Sequence, residues 1–316
     1  MKHIPVLVDE LLDCLKLQPG ASVIDATLGL GGHAQVVLER VGPTGRLLGL
    51  ERSAEGLAEA RKVLTPFKAQ IVPVHANFRE LVSVATEHKF DQVDAVYFDL
   101  GLASWQIDQD YQGLSHQFDA PLDMRIEAPA KYQQSTAPTV RWTQDDRLLR
   151  IVERWRGYSA AEVLAQASQT DLETVFRELG GVRTWRTVVA AIIEARIVRP
   201  IERTGQLVEI VGESPRLLAL VFQALRILVN DEYGALLAGL DGAWQVLRPG
   251  GRLAVISFHG GEHRLVKQLF RTLSGTATIA RVFPSNAEIT HNPRSRSATL
   301  RYITKTTATS VTNKER

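Results

Sequence analysis

Compact apolar runs alternate with helical patterns over the first hundred residues of the chain. Four compact, mainly apolar runs end in polar or small residues, which predicts parallel strands buried on both faces: 22–26, 46–51, 70–74 and 93–99. Three helical patterns separate these runs, at 33–41, 54–64 and 78–88. This alternation is typical of a doubly wound α/β sheet.

The pattern changes after Asp99. A turn-rich stretch reaches Glu127, and the segment 128–138 is poor in apolar residues, so we expect a loop or insertion there. From about 145 to 212 the pattern is helical throughout. Five apolar side chains illustrate the helical spacing: Trp185, Val188, Val189, Ile192 and Ile193. We interpret this stretch as a separate helical subdomain.

The sheet then resumes. A long helical pattern over 216–247, with a break expected near Asn230 or Gly234, stops at a Pro-Gly-Gly turn. Three further strands are predicted, at 252–258, 277–283 and 298–304. We therefore predict one α/β sheet domain with a helical insertion, divided as follows: sheet domain, first part, 1–105; inserted loop and helical substrate-side subdomain, 106–215; sheet domain, second part, 216–305; disordered tail, 306–316.

Composition narrows the classes of protein. The chain has 316 residues, of which 45% are hydrophobic, enough for a sizeable core. Its only cysteine, Cys14, excludes an internal disulfide and a cysteine-based zinc site, and we expect no metal. Without a run of about 18 apolar residues or a signal-peptide pattern, we expect a cytoplasmic protein that does not enter the membrane. The net charge of +2 means that any RNA partner must be argued from local patches.

The first chemical signal is the turn Asp25-Ala-Thr-Leu-Gly-Leu-Gly-Gly-His33 between the first strand and the next helix. Glycines there let the backbone approach a ligand, and the helix start directs free N–H groups at it. Glu51 closes the second strand about 20 residues further on, where a carboxylate binds ribose hydroxyls. This pair fits NAD or S-adenosylmethionine (SAM). The structural alternative is a glycine turn that only packs strand against helix.

Two features favour SAM. The glycines do not match the dinucleotide spacing Gly-x-Gly-x-x-Gly, and Asp25 precedes them, where it could meet the cationic methionine end of SAM. Phe78 follows the third strand, where it could stack on adenine or belong to the core, and Asp99 closes the fourth strand. Carboxyl ends of parallel strands form the ligand-binding edge of open α/β sheets, so these residues are expected to share one site.

Seven segments carry a family likeness: 3–7, 25–33, 98–101, 120–125, 222–232, 249–259 and 292–301. Two of them contain uncommon strings, Pro121-Leu-Asp-Met-Arg125 and Gln223-Ala-Leu-Arg-Ile-Leu-Val-Asn230. In these segments, which span nearly the whole chain in family order, the protein resembles the bacterial 16S rRNA (cytosine-N4)-methyltransferases, the RsmH or MraW family.

The resemblance implies a SAM-dependent methyltransferase (Rossmann-like) sheet with a helical insertion. It implies SAM contacts from Gly31, Gly32, His33, Glu51, Phe78, Asp99 and Gln106. It also implies the substrate, the exocyclic N4 of a cytidine in the decoding centre of 16S rRNA, within the small ribosomal subunit or its precursor. We expect a monomer or homodimer.

The exocyclic amine of cytosine is a poor nucleophile because its lone pair is delocalised into the ring, so an acceptor must hold its N–H groups. Asp99 is the first candidate for this acceptor and proton sink, the alternative being a carboxylate that only binds cofactor or caps a turn.

The resemblance implies that Asn230, Ser257 and His259 lie on the substrate side of the site. The alternative for each of them is a purely structural role. Five basic residues are candidates for phosphate contacts: Arg125, Arg294, Arg296, Arg301 and Lys305. The alternative is that they belong to a dispersed basic surface with no specific partner.

The chain departs from the family pattern mainly in its substrate half. Glu51 replaces an aspartate, and Ala103-Ser-Trp-Gln-Ile-Asp108 replaces Ser-Ser-Pro-Gln-Leu-Asp. Ser257-Phe-His-Gly-Gly-Glu-His-Arg264 replaces Ser-Phe-His-Ser-Leu-Glu-Asp-Arg, and the arginine-rich helix of the insertion is absent. These changes leave open a second hypothesis, a non-catalytic ribosome-assembly or RNA-binding factor that keeps the fold.

Overall fold

The computed structural model describes residues 4–101, 112–127, 141–273 and 280–306. The predicted SAM contact Gln106, the predicted linker at 128–138 and the predicted tail after residue 306 lie outside these ranges. The chain divides into two compact units, one formed by residues 1–101 and 235–316 and the other by residues 102–234.

The first unit is built on a seven-stranded sheet. Its strands are β1 (Ser22–Asp25), β2 (Arg46–Glu51), β3 (Ile71–His75), β4 (Val93–Asp99), β5 (Leu247–Ser257), β6 (Ala280–Val282) and β7 (Thr299–Thr304). They are ordered β3-β2-β1-β4-β5-β7-β6, and the five strands from β3 to β5 are parallel. Strand β7 runs antiparallel to both β5 and β6. The predicted α/β fold is confirmed.

The central strands form where the apolar runs predict them. Strand β4 buries Ala95, Val96, Tyr97 and Phe98 completely, as a strand covered on both faces must. The chain runs outward from β1 through β2 to β3 and then returns to β4 on the other side. The carboxyl ends of β1 and β4 therefore flank the point where strand order reverses, which is where open α/β sheets bind ligands.

Among the described residues, seven helices belong to this unit or lead into it: α1 (Val8–Leu15), α2 (Gly32–Val41), α3 (Ala54–Val63), α4 (Leu81–Glu87), α11 (Glu232–Val246), α12 (Gly260–Leu273) and α13 (Asn286–His291). Short 3-10 helices cover Thr65–Phe67, Phe78–Glu80 and Pro293–Ser297. Helix α1 was not predicted because it is only two turns long. Its Leu11, Leu12 and Leu15 are nonetheless part of the hydrophobic core, and the helix packs against α2, β5 and β7.

The second unit is helical. Its helices are α5 (Asp146–Trp155), α6 (Ala160–Gln166), α7 (Gln169–Glu178), α8 (Trp185–Val198), α9 (Thr204–Val211) and α10 (Pro215–Asn230). The division predicted from the sequence puts α10 in the second part of the sheet domain, but the contacts of α10 put it in this unit. The reason is that α10 packs against α5, α6, α7 and α9 and buries Leu218, Val221, Phe222 and Leu225.

The long helical pattern over 216–247 breaks where it was expected to break. Helix α10 ends at Asn230, and Asp231 adopts a left-handed conformation with φ of 45° before α11 begins. Strand β5 starts at Leu247, earlier than predicted, because a bulge opposite Val93 and Ala95 accommodates the Pro-Gly-Gly turn within the strand. Within the described ranges, none of the helices has the length and apolarity that crossing a membrane requires.

Candidate functional site

The glycine turn after β1 is held by both neighbouring strands. On one side, Asp99 N donates to Thr27 Oγ1 at 2.6 Å, so the turn is tied to the end of β4. On the other side, Leu28 N donates to Leu50 O at 2.8 Å, and Gly29 N donates to Glu51 Oε2 at 2.8 Å, so it is tied to β2. The backbone of the turn is therefore fixed before any ligand binds.

Two glycines of the turn are required by the packing of the chain itself. Gly31 has φ of +86°, and a Cβ there would lie 3.0 Å from Leu64. A Cβ on Gly32 would lie 2.5 Å from Pro5 Cγ. Helix α2 begins at Gly32, and the first N–H groups of a helix have no partner within it. The turn thus packs tightly on one side and can direct N–H groups at an anionic or polar ligand.

Glu51 lies at the carboxyl end of β2 with only 9% of its surface exposed. Its two oxygens accept hydrogen bonds from Gly29 N and Ser53 N, both at 2.8 Å. Burial raises the pKa of Glu51 above its usual value, and these two donors oppose that effect. Each carboxylate oxygen has a second lone pair, so the group can also accept bonds from ribose hydroxyls.

Asp25 ends β1 and is completely enclosed. Its Oδ2 accepts a bond from Tyr97 Oη at 2.6 Å, and its Oδ1 accepts one from Thr27 N at 3.0 Å. Burial raises the pKa of Asp25 to about 6. Both oxygens stabilise the turn from within, and a contact with the methionine end of SAM stays a prediction. Tyr97, which sequence reasoning missed, is a buried strand residue whose hydroxyl carries no sequence signal.

Asp99, whose side chain is 19% exposed, and the buried His33 form a polar pair. His33 Nδ1 lies 3.5 Å from Asp99 Oδ2, and His33 Nε2 donates to Val6 O at 2.9 Å. Burial lowers the pKa of His33, while burial and the nearby Glu262 raise the pKa of Asp99 to about 7. With its proton on Nε2, a neutral imidazole presents a bare Nδ1 to the carboxyl group. A proton on Asp99 Oδ2 is therefore favoured in the space between the two groups.

The second carboxyl oxygen of Asp99, Oδ1, does not share the contact that Oδ2 makes with His33. Asp99 Oδ1 is inaccessible to water and has no hydrogen-bond partner within the described part of the chain. A buried acceptor without a donor costs about 1–3 kcal/mol, so such an atom calls for an explanation. Its place at the end of β4, beside the switch point, makes a ligand donor the natural one.

Phe78 follows β3 and begins a 3-10 helix capped by Asn77. Its half-buried ring meets the ring of Phe98 edge to face, with centroids 5.7 Å apart. A Cβ on Gly239 of α11 would lie 2.9 Å from Phe78, so this ring is closely packed on that side. The ring is anchored in the core, and stacking on adenine stays a prediction.

The end of β5 carries a second polar cluster. Ser257 is fully buried, and its Oγ lies 2.7 Å from His263 Nδ1. His259 Nε2 lies 3.0 Å from Glu262 Oε1, and Glu262 Oε2 accepts a bond from Phe258 N at 2.8 Å. Glu262 was missed by sequence reasoning, although its spacing of three residues after His259 is that of a helix-capping carboxylate.

Arg125 and Asn230 belong to the helical unit. Arg125 is paired with Asp123 through two bonds of 2.6 and 2.7 Å. Asn230 is 1% exposed; its Oδ1 accepts from Ile126 N at 3.0 Å, and its Nδ2 donates to Met124 O at 2.8 Å. Asn230 therefore holds the segment that carries Arg125 against the end of α10. Substrate contacts from either residue stay predictions.

The turn that contains Gly31 and Gly32 is thus bonded to Glu51 through Gly29 and to Asp99 through Thr27, and His33 contacts Asp99 directly. Phe78 follows the next strand. A glycine turn, a ribose-type carboxylate held by two N–H groups and an unsatisfied buried acceptor fit a nucleoside cofactor with polar and cationic groups. Fold and site together define a nucleotide-cofactor enzyme of the doubly wound α/β class.

Known proteins identify the class more closely. The profile of the MraW methylase family matches residues 1–156 and 150–306. Proteins named ribosomal RNA small subunit methyltransferase H are similar over nearly their whole length. The protein from Symbiobacterium thermophilum is 39% identical over 96% of each chain. That from Syntrophotalea carbinolica is 37% identical over 96% of this chain and 97% of the relative.

The chain belongs to the MraW methylase family. The predicted resemblance is confirmed, and so is SAM as the cofactor. The choice between NAD and SAM that the glycine turn left open is thereby decided.

Proposed function

We propose that this chain is a small-subunit rRNA methyltransferase that methylates the exocyclic N4 of a cytidine in the decoding centre of 16S rRNA. The observation that carries the proposal is the 39% identity, over 96% of both chains, to a relative named ribosomal RNA small subunit methyltransferase H. The cytidine, its N4 atom and its place in the decoding centre come from the motif resemblance described above.

Bound SAM would supply an electrophilic methyl carbon, whose bond to the sulfonium sulfur breaks on transfer so that a neutral thioether is the leaving group. In the proposal, the N–H groups after Gly31 and the carboxylate of Glu51 hold SAM, with Phe78 against the adenine and Gln106 as a further contact. The support is local: Glu51 is held by two backbone donors that fix its orientation, and the turn is tied to both β2 and β4.

Asp99 is the proposed catalytic residue. Its Oδ1 is a buried acceptor that lacks a donor among the described residues. An acceptor that is to bind the N4–H group of the substrate is expected to have no donor from the protein itself. A hydrogen bond from the amine to Oδ1 localises the nitrogen lone pair, and ionised Asp99 can take the proton that the amine loses when it gains the methyl group. His33 is a positioning residue in this scheme, because its Nδ1 faces Oδ2 and leaves Oδ1 to the substrate.

The substrate-side residues divide into two groups in the proposal. Arg125 and His259, which are partly exposed, would contact RNA. Asn230 and Ser257 are fully buried and would act through the segments they hold.

The test is methyl transfer from labelled SAM to small ribosomal subunits that lack the modification. The wild-type chain should label the rRNA, and Asp99→Asn should lower the rate at saturating SAM by about 100-fold or more, the usual contribution of a general base. Asp91→Asn, which changes an exposed carboxylate just before β4, is the matched control and should keep the wild-type rate. A wild-type chain that binds SAM and small subunits without labelling them would contradict the proposal and favour the non-catalytic assembly factor.

A further inference from the structure

Arg301 in β7 is a buried charge that no described residue compensates. Its side chain is 7% exposed, and its Nη1 is fully enclosed with no hydrogen-bond acceptor in the part of the chain that the structure describes. In the same ranges, no carboxylate forms an ion pair with it. A guanidinium stays charged at any physiological pH, and a buried unpaired charge is costly. Such a group indicates a missing anion.

The residue directly across the sheet makes the imbalance larger. Arg281 of β6 pairs with Arg301 in the antiparallel register, so the two side chains lie on one face of the sheet. Like charges in directly opposed positions destabilise a sheet. Burial and the positive charge of Arg281 both lower the pKa of Arg301. Burial also lowers the pKa of His263, and the charges of Arg301 and Arg281 add to that effect.

An exposed aromatic ring completes the feature. Phe283 lies two residues after Arg281, just beyond the end of β6, and is 54% exposed. The guanidinium of Arg281 lies over its ring, 4.0 Å from the centroid. Aromatic rings and arginine planes beside a positive groove are the surface on which unpaired nucleic-acid bases stack.

The other basic residues suggested for phosphate contact, where the structure describes their side chains, are less suited to it. Lys305 donates to Trp244 O and Leu247 O, both at 2.7 Å, and so serves the end of α11. Arg125 is paired with Asp123. The side chain of Arg294 lies outside the described part, and Arg296 is exposed on a 3-10 helix.

We propose that Arg301 and Arg281 bind a backbone phosphate of a single-stranded RNA segment, with a neighbouring base stacked on Phe283. The choice of RNA as the ligand rests on the proposed function, while the need for an anion rests on the arginine pair. The phosphate would place a negative charge against two facing guanidinium groups, and Arg is the side chain best adapted to phosphate recognition.

The test is RNA binding by the full chain at several salt concentrations, with a labelled single-stranded segment of small-subunit rRNA. Arg281→Gln and Arg301→Met should each weaken binding and reduce the slope of log K against log salt by about 0.7, the value for one lost phosphate contact on a single strand. Phe283→Leu should weaken binding roughly tenfold and leave the slope unchanged, because stacking releases no counterions. Arg40→Gln, which changes an exposed arginine in the last turn of α2, is the matched control and should behave as wild type.

Arg281 is exposed, so Arg281→Gln tests the site even if Arg301→Met fails to fold. Wild-type slope and affinity in both Arg281→Gln and Phe283→Leu would overturn the proposal, as would a wild-type chain that does not bind RNA. The proposal would also be overturned if submillimolar cytidine monophosphate, at matched ionic strength, displaced the bound RNA. The ligand of the site would then be a free nucleotide and not an RNA strand. The labelling assay described above reports separately on the proposed function, since a chain that methylates rRNA can still lack this phosphate site.

Discussion

Asp99→Asn is expected to make the protein more stable while it lowers the rate of methyl transfer by about 100-fold or more. The substitution keeps the shape of the side chain and removes its charge. In the folded chain the pKa of Asp99 is raised from 3.8 to about 7, chiefly by burial and secondarily by the charge of Glu262. The ionised form that catalysis requires is thus the form that the fold disfavours. Such a cost in stability is common at functional sites.

The magnitude follows from this difference in pKa. Between pH 3.8 and about 7 the folded state binds more protons at Asp99 than the unfolded state, so stability falls as pH rises through this window. A rise of about three pKa units corresponds to about 4 kcal/mol once the group is fully ionised. Asp99→Asn should recover up to this amount above pH 7 and none of it at pH 3.8 or below.

The assay is the melting temperature of wild type and Asp99→Asn between pH 4 and pH 8.5, without SAM. We expect the variant to melt several degrees higher at pH 8 and the difference to shrink steadily toward pH 4. Asp91→Asn should differ little from wild type at any pH, since surface substitutions usually change stability by no more than about 0.5 kcal/mol. An Asp99→Asn variant that is less stable than wild type at pH 8, or a difference that does not depend on pH, would refute the reasoning about this carboxyl group.

Three other substitutions test the contacts around the site. Tyr97→Phe removes the donor to Asp25 and should cost about 1–3 kcal/mol at pH 8 but less at pH 5, below the pKa of about 6 of Asp25; equal losses at both pH values in thermal melts would contradict this. Glu51→Gln faces two N–H donors with only one acceptor, so calorimetry should find SAM affinity at least tenfold weaker; an unchanged affinity would remove Glu51 from the site. Asn230→Ala leaves a buried N–H and a buried carbonyl unpaired and should cost about 3 kcal/mol in denaturant unfolding; a loss below about 0.5 kcal/mol would show that the amide bonds are dispensable.

The strands and most long helices could be predicted from the sequence because their signals are local. The apolar run at 93–99 corresponds to β4 at Val93–Asp99, and the pattern at 54–64 corresponds to α3 at Ala54–Val63. Helix α1 was missed because two turns give too little periodicity. The placement of α10 was missed because a helix pattern does not say which neighbours cover its apolar face.

The site residues that belong to sequence motifs could be predicted. The site residues that depend on contacts between distant parts of the chain were missed. Glu51 and Asp99 follow strands, so their shared edge could be inferred from topology. Tyr97, bonded to Asp25 across the sheet, could not, and neither could the contact of His33 with the carbonyl of Val6. These partners are 72 and 27 residues away in the chain, beyond the reach of any local pattern.

The pair formed by Arg301 and Arg281 also depends on a long-range contact that the sequence does not show. Arg301 stood among five basic residues with equivalent claims to phosphate contact. Only strand register sets it opposite Arg281, and only the fold shows that its Nη1 has no acceptor among the described residues. Long-range pairing, and not composition, distinguishes it from Lys305, whose charge is used at the end of a helix.

The measurement that tests the central claim most directly is mass-spectrometric mapping of methylated cytidines in small-subunit rRNA from cells with and without this gene. We expect one N4-methylated cytidine in the decoding centre that disappears when the gene is deleted, returns fully with the wild-type gene and returns to a much smaller extent with Asp99→Asn. Identical rRNA methylation in both strains, or loss of a methyl group from a different atom or base, would contradict this claim.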